Sequence, residues 1–319
     1  MPKKTIQLPY FIFGILCVAF AFLLFSNIVR GLLNRKTGDT FQPSLQRIEL
    51  KIPAAGFIAK TEHLVLASED GKVERLQEAG TLVRTKTEIV HLKKHSQSSN
   101  IETIFNEFEG IVTYIKDECE EKYQLSNVDQ LLLQEILQPP IKQSRVGDDQ
   151  TVKKGDFIFK IVENDLMHFV LIIEPQYQKA LSNIYQQQFS IGSDINFRVE
   201  FPSNLMVGCN IVRQEKREKD YQLIILSSPY YVDLMLNQRK VNGFFSFGFV
   251  SASLIPDTSL IFDESGKTYV LEKQDQPERI PVEILGIDPS TMQYIVSGLE
   301  SSQEIYTHAK NWDSSQIEQ

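Results

Sequence analysis

The 319-residue chain lacks the short motifs by which many enzymes are recognised. It has no phosphate-cradling GxxxxGK[S/T] loop, no dinucleotide GxGxxG turn and no GxSxG nucleophile elbow. Its histidines, His63, His91, His95, His168 and His308, are scattered. His91 and His95 stand four apart, but Leu92-Lys93-Lys94 between them reads as the exit of a strand, so no metal-ligand set is nominated. Cys17, Cys119 and Cys209 are too few for a disulfide framework and neither demand nor exclude an oxidising compartment. Basic residues are outnumbered, 33 Lys and Arg against 41 Asp and Glu, so no basic stripe is available for phosphates and nucleic acid is excluded as a partner. No acidic pair stands out for acid-base work. No long low-complexity tract is present, which predicts a folded ectodomain rather than a stalk; with no ligand or catalytic motif nominated, no cofactor and no metal are expected.

What the chain does have begins at its start. Leu8 to Val29 is apolar apart from Ser26 and Asn27, and as a helix it reaches ~33 Å, enough to cross a bilayer core. Ala19-Phe20-Ala21 offers a signal-peptidase site, but the apolar run continues past it, which favours a retained single-pass signal anchor. Lys3 and Lys4 nearly balance Arg30, Arg35 and Lys36. The very short leading tail is expected to stay inside and residues 30–319 outside.

The second feature is a half-motif written twice. Gly71-Lys72-Val73 followed by Val83-Arg84-Thr85-Lys86 returns as Gly110-Ile111-Val112 followed, after an insertion, by Val152-Lys153-Lys154-Gly155. One constant offset pairs Val83 with Val152, Ile89 with Ile158 and Leu92 with Ile161. Each copy is a Gly turn followed by β-branched alternation, the pattern of a small all-β unit with two similar halves. Lys86 stands where the second copy has Gly155, a departure that puts the first turn's geometry in question.

This pattern resembles the biotinyl-lipoyl fold. Carriers with that fold present one lysine on the hairpin between the halves; here Lys93–Glu109 lies between them, a polar segment that reads as a loop without a carrier turn. The interruption is similar to that in HlyD-like membrane fusion proteins, the adaptors of secretion and efflux systems. Further parts follow in the adaptors' order. Phe169–Ile173, Ile195–Val199, Gln222–Leu226 and Gly243–Val250 read as strands of a small antiparallel barrel, with Tyr177–Gln188 as a short helix. Leu254-Ile255-Pro256-Asp257-Thr258-Ser259-Leu260-Ile261 resembles the strand that leads into the adaptors' membrane-proximal domain. Segments around Gly266, Gly286 and Gly298 continue it. Adaptors that reach an outer-membrane channel carry a long α-helical hairpin between the lipoyl halves. Residues 93–109 could build a rod of only ~10 Å, so the resemblance is to a hairpin-poor subclass from cells with a single membrane.

The expected organisation is mainly β: a cytoplasmic tail (1–7), the transmembrane anchor (8–29), a linker (30–51), a lipoyl-like sandwich with an inserted helix (52–164), a barrel (165–255), a membrane-proximal-like β domain (256–308) and a tail (309–319). The inserted helix is read over Ser126–Leu137, capped by Ser126 or Asn127, stopped by Pro139-Pro140 and packed on the lipoyl-like domain. Asp117-Glu118-Cys119-Glu120-Glu121 reads as a solvated face. Asp148-Asp149 reads as a turn. Phe245, Phe247 and Phe249 share one strand face and are expected in the barrel core. Motif positions are Gly71, Val73, Val83, Gly110, Val112, Val152 and Gly155 in the halves, and Pro256, Ser259, Gly286 and Gly298 in the last domain. The implied function is a non-enzymatic adaptor that assembles with an inner-membrane transporter, a permease or ATPase, and with copies of itself. An extracytoplasmic scaffold of a division or wall-synthesis complex is the alternative.

Overall fold

The computed structural model describes residues 39–94, 101–177, 189–201, 204–229, 235–274 and 276–309. The anchor expected over 8–29, both tails' extremes, all but Tyr177 of the helix expected over Tyr177–Gln188, and His95 lie outside these residues. Among the described residues no helix is long and apolar enough to cross a membrane. The chain divides into two compact units, one of residues 47–251 with 284–295 and the other of 252–283 with both terminal regions.

β1 (Thr40–Phe41) is followed by β2 (Gln46–Ala59). β2 corrects the expected boundary: it runs through the supposed linker into the supposed lipoyl-like domain and pairs with a barrel strand. Its pattern explains this, because Leu50, Ile52, Ala54 and then Phe57, Ile58 and Ala59 are buried.

The repeated halves follow as β3 (Glu62–Leu66), β4 (Gly71–Arg75), β5 (Leu82–Val83), β6 (Glu88–Lys94), β7 (Ile101–Phe105), β8 (Gly110–Thr113), β9 (Ile115–Lys116), β10 (Ser144–Arg145), β11 (Thr151–Val152) and β12 (Phe157–Val162). They form two four-stranded sheets, β11-β4-β6-β7 and β3-β12-β8-β5. The halves interlock: β4 of the first copy pairs with β11 of the second, and β8 of the second with β5 of the first. The exchange repeats at atomic detail. Val73 N–H donates to Gln150 O at 2.9 Å, as Val112 N–H donates to Thr81 O at 3.0 Å. Gly155 N–H donates to Ala67 O and Lys86 N–H to Asn106 O, both at 2.9 Å. Lys86 adopts φ +64° where Gly155 has +87°, so the first turn keeps the left-handed geometry despite its side chain. Asp149, also left-handed at φ +60°, makes the expected turn. The segment read as a loop is corrected as well, because β7 folds back antiparallel on β6.

The insertion is a 3-10 turn (Leu125–Gln130) and α1 (Leu133–Leu137), broken at Leu131-Leu132. Neither Ser126 nor Asn127 caps it; Glu135 Oε2 accepts the Leu132 N–H at 3.0 Å instead. The insertion packs on the barrel: Cys119, Tyr123, Val128, Leu131 and Ile136 form one core with Phe57, Val170, Ile172, Leu223 and Ile225.

The barrel adds β13 (Met167–Ile173), β14 (Asp194–Phe201), β15 (Leu205–Lys216), β16 (Gln222–Ser228) and β17 (Lys240–Ile255). Antiparallel pairing runs β2-β13-β16-β15-β14-β17, and β17 also pairs with β2, closing the ring. Closure removes free sheet edges. β13 and β16 are buried on both faces, one against Phe169, Phe197 and Phe245 inside and the other under the insertion, which accounts for their unbroken apolar runs. Of the expected phenylalanine face, Phe245 is buried with Phe189 edge-on at 4.9 Å, but Phe249 is 57% exposed under the Arg47 guanidinium. Gly248, at φ +91°, breaks the alternation between them.

The other unit carries β18 (Ile261–Phe262), β19 (Thr268–Glu272), β20 (Glu278–Ile287, which ends in the first unit), β21 (Tyr294–Ser297) and β22 (Ile305–Tyr306). β19 pairs with β18, β20 and β22, and β22 with β1. The expected strand over 254–261 is interrupted: β17 ends at Ile255, Pro256 follows, and Asp257–Ser259 forms a 3-10 turn.

Candidate functional site

Among the described residues six charged side chains are buried, and all converge where the interlocked halves meet the barrel: Lys60, Glu62, Asp117, Glu120, Lys160 and Arg239. Local structure places each. Lys60 follows the last residue of β2, Glu62 opens β3, Asp117 and Glu120 begin the insertion, Lys160 sits inside β12, and Arg239 immediately precedes β17.

Arg239 is the hub. Its Nε donates to Asp117 Oδ2 at 2.9 Å and its Nη2 to Asp117 Oδ1 at 3.1 Å, a bidentate pair. Nη2 also pairs with Glu62 Oε2, and Nη1 donates to Ile58 O at 3.3 Å. Lys160 Nζ lies 2.8 Å from both Glu62 Oε1 and Glu120 Oε1. Lys60 Nζ donates to the carbonyls of Leu236 at 2.7 Å and Gln238 at 2.6 Å. Three cations thus stand among three carboxylates, with no large net charge left in the low-dielectric interior.

The electrostatics follow from burial and neighbours. Burial opposes ionisation of Glu62, but Arg239 and Lys160 outweigh it and hold its pKa below the usual carboxylate range. For Asp117 burial is likewise overcome, by the Arg239 hydrogen bonds and charge. Burial would lower the Arg239 pKa, yet Glu62 and Asp117 raise it. Lys60 differs: burial dominates and brings its pKa down to about 7. Burial and the neighbouring Asp117 push the Cys119 thiol up to about 11.

The acidic run is therefore corrected. Asp117, Cys119 and Glu120 are buried, and only Glu118 and Glu121 face solvent, because the chain turns there through hydrogen bonds from Asp117 N–H to Glu120 and from Cys119 N–H to Asp117. One signal could have found the cluster: Lys160 stands inside a six-residue strand that is otherwise apolar, and a buried lysine needs a carboxylate. Arg239 and Lys60 carry no comparable mark.

The motif positions in the halves come together. Val73, Val83, Val112 and Val152 share one core with Ile89, Leu92, Ile158 and Ile161. Gly71 pairs with Val152, and Gly110 with Val83. Side chains are excluded at Gly110, where a Cβ would stand 2.4 Å from Val162 O. Of the later positions, Gly286 falls in the first unit and Pro256, Ser259 and Gly298 in the other. Ser259 Oγ donates to Thr307 O at 2.9 Å.

The lysines flanking the mouth of the β6-β7 hairpin are engaged, Lys93 with Glu74 at 2.9 Å and Lys94 with Glu69 at 3.0 Å. Residues 95–100, which join the two strands, contain no lysine. β7 forms the edge of its sheet, with Ile101 and Phe105 about half exposed. Among the described residues no group of three or more potential ligands could hold a metal.

A family described as "RND related, barrel-sandwich hybrid domain" matches residues 62–163, the span from β3 to just past β12. No curated protein matches the sequence. Among solved structures, similar chains include ZneB from Cupriavidus metallidurans (9% identity, 88% of this chain and 95% of that one, TM-score 0.35) and MacA from Actinobacillus actinomycetemcomitans (13% identity, 84% and 99%, TM-score 0.33). Superpositions this loose add nothing to the assignment, which rests on residues 62–163. Over that span, about a third of the chain, the sequence is similar to the barrel-sandwich hybrid domain of RND-related proteins.

Proposed function

We propose that this protein is a non-enzymatic adaptor of an efflux or secretion system, anchored in the cytoplasmic membrane by Leu8–Val29 and holding residues 30–319 outside. The observation that carries the reading is the hybrid domain itself: two interlocked halves whose connecting hairpin offers no carrier lysine. Such a domain has rigid β surfaces to present to a partner and no reactive group to deliver. Anchoring would raise its effective concentration near a permease or ATPase in the same membrane. The short β6-β7 hairpin, whose five-residue β7 extends roughly 17 Å, favours partners at that membrane over a distant one. The same shortness supports the second reading, a scaffold for a division or wall-synthesis complex.

Affinity purification of the full-length protein from its own cells in mild detergent tests the proposal. Stoichiometric recovery of a transporter subunit is expected. Its consistent absence, with septal or wall-synthesis proteins present instead, would overturn the adaptor in favour of the scaffold.

A further inference from the structure

One short piece of the barrel, Met235–Arg239, lies against the hybrid domain as a strap, with polar contacts along its length. Lys60 holds the Leu236 and Gln238 carbonyls. Thr113 Oγ1 donates to Asn237 Oδ1 at 2.7 Å, and Gln143 Nε2 donates to Asn237 O at 3.0 Å. Arg239 closes on Asp117 and Glu62, and its carbonyl accepts the Ile58 N–H at 2.7 Å. Leu236 adds an apolar contact with Ile111 and Val162, and the Met235 side chain is fully buried. Beside Lys60 lies a cavity of about 180 Å³ lined by Thr61, Glu163, Asp165 and His168 together with the apolar Leu125 and Leu166.

We infer that this strap is a proton-operated latch: loss of the Lys60 proton tightens its docking onto the hybrid domain, and proton uptake loosens it. The geometry supplies the reason, since Lys60 is the one cation of the cluster that donates only to strap carbonyls, bonds that a neutral amine also makes. Facing it are Glu62 on β3, Asp117 and Glu120 on the insertion, Lys160 on β12 and Arg239 on the strap, with Glu163, Asp165 and His168 across the cavity.

The direction follows from linkage. The docked Lys60 titrates at about 7, against 10.5 for an ordinary lysine. Below about pH 7 it is protonated docked or free, and docking is weakest. Above that, only the undocked form keeps its proton, and docking strengthens about tenfold per pH unit. Glu62, Asp117 and His168 are all held below their ordinary values, which shifts their titrations toward the acid side.

The test is hydrogen exchange of the full-length protein in detergent from pH 6.5 to 8.5, with each rate divided by its intrinsic chemical rate. Protection of the Ile58 and Gln238 amides, which donate to Arg239 O and Met235 O, should rise about 20-fold across that range. Lys60→Met should abolish the rise, while unchanged β14-β15 amides report an intact barrel. Lys60→Gln provides the same comparison if the methionine variant does not fold. A flat profile in the native protein, or an equal rise in both, would overturn the latch. The test needs no transporter, so its outcome is separate from that of the adaptor proposal.

Discussion

Replacing Arg239 by methionine removes the hub of the buried cluster while leaving most of the side-chain volume. Asp117 would lose both guanidinium bonds, Glu62 would keep only Lys160, and Ile58 O would lose its donor. Breaking a buried ion pair on one side costs about 3–5 kcal/mol, because the remaining charge is stranded out of water. Both carboxylates retain other polar neighbours, so the lower half of that range is expected. Hydrogen exchange of the β3 and β12 amides reads the effect locally, without requiring the whole chain to unfold as one unit. A loss of about 3 kcal/mol corresponds to a protection factor roughly 150-fold smaller in those strands. Neutralising the stranded carboxylates as well, by Glu62→Gln and Asp117→Asn, should recover much of it, since a neutral amide is far cheaper to bury than an unpaired charge. A change in Arg239→Met below about 1 kcal/mol, the size of an exposed pair, would refute the claim that the cluster is a buried electrostatic core.

Other outcomes follow from the same geometry. Gly155→Ala meets open space but must hold φ +87°, so it should lower stability by about 1–2 kcal/mol, whereas Lys86→Gly should be neutral or slightly stabilising; urea titration of both variants checks the pair. Gly56→Ala should prevent barrel closure, because its Cβ would stand 1.9 Å from Val170 O, and loss of soluble, protease-resistant protein is the readout. In a Cys17→Ser background, Cys119 and Cys209 should resist thiol reagents at pH 8 until denaturant is added, both being buried with pKa values pushed up to about 11 and 12. The stabilisation from Glu62 and Asp117, whose pKa values are lowered in the fold, should be present above their ordinary 4.5 and 3.8 and fade as pH falls below them, which acid unfolding followed by circular dichroism would show.

The halves were legible because Gly turns and β-branched alternation are local signals, and the interlocked pairing realises both copies of one pattern. The barrel's β13 and β16 were legible as apolar runs, but the cause of their two-sided burial was not. The insertion covers them across more than thirty residues of sequence, a contact that no periodicity encodes. β15 escaped because Leu205–Lys216 exposes Met206 and Val212 and ends in charged residues, blurring its alternation. The phenylalanine face failed at a single residue, Gly248, whose left-handed φ is silent in a hydropathy pattern. The cluster was the least legible feature. Its partners span residues 60 to 239, and runs such as 117–121 are usually solvated, so only Lys160 in its apolar strand hinted at it.

The central claim, that this hybrid domain serves a transporter, is met most directly by in-cell crosslinking of the full-length protein followed by mass spectrometry of what it captures. The account predicts a permease or ATPase subunit of a transporter bound through residues of the extracytoplasmic units. Crosslinks to septal or wall-synthesis proteins alone would contradict it.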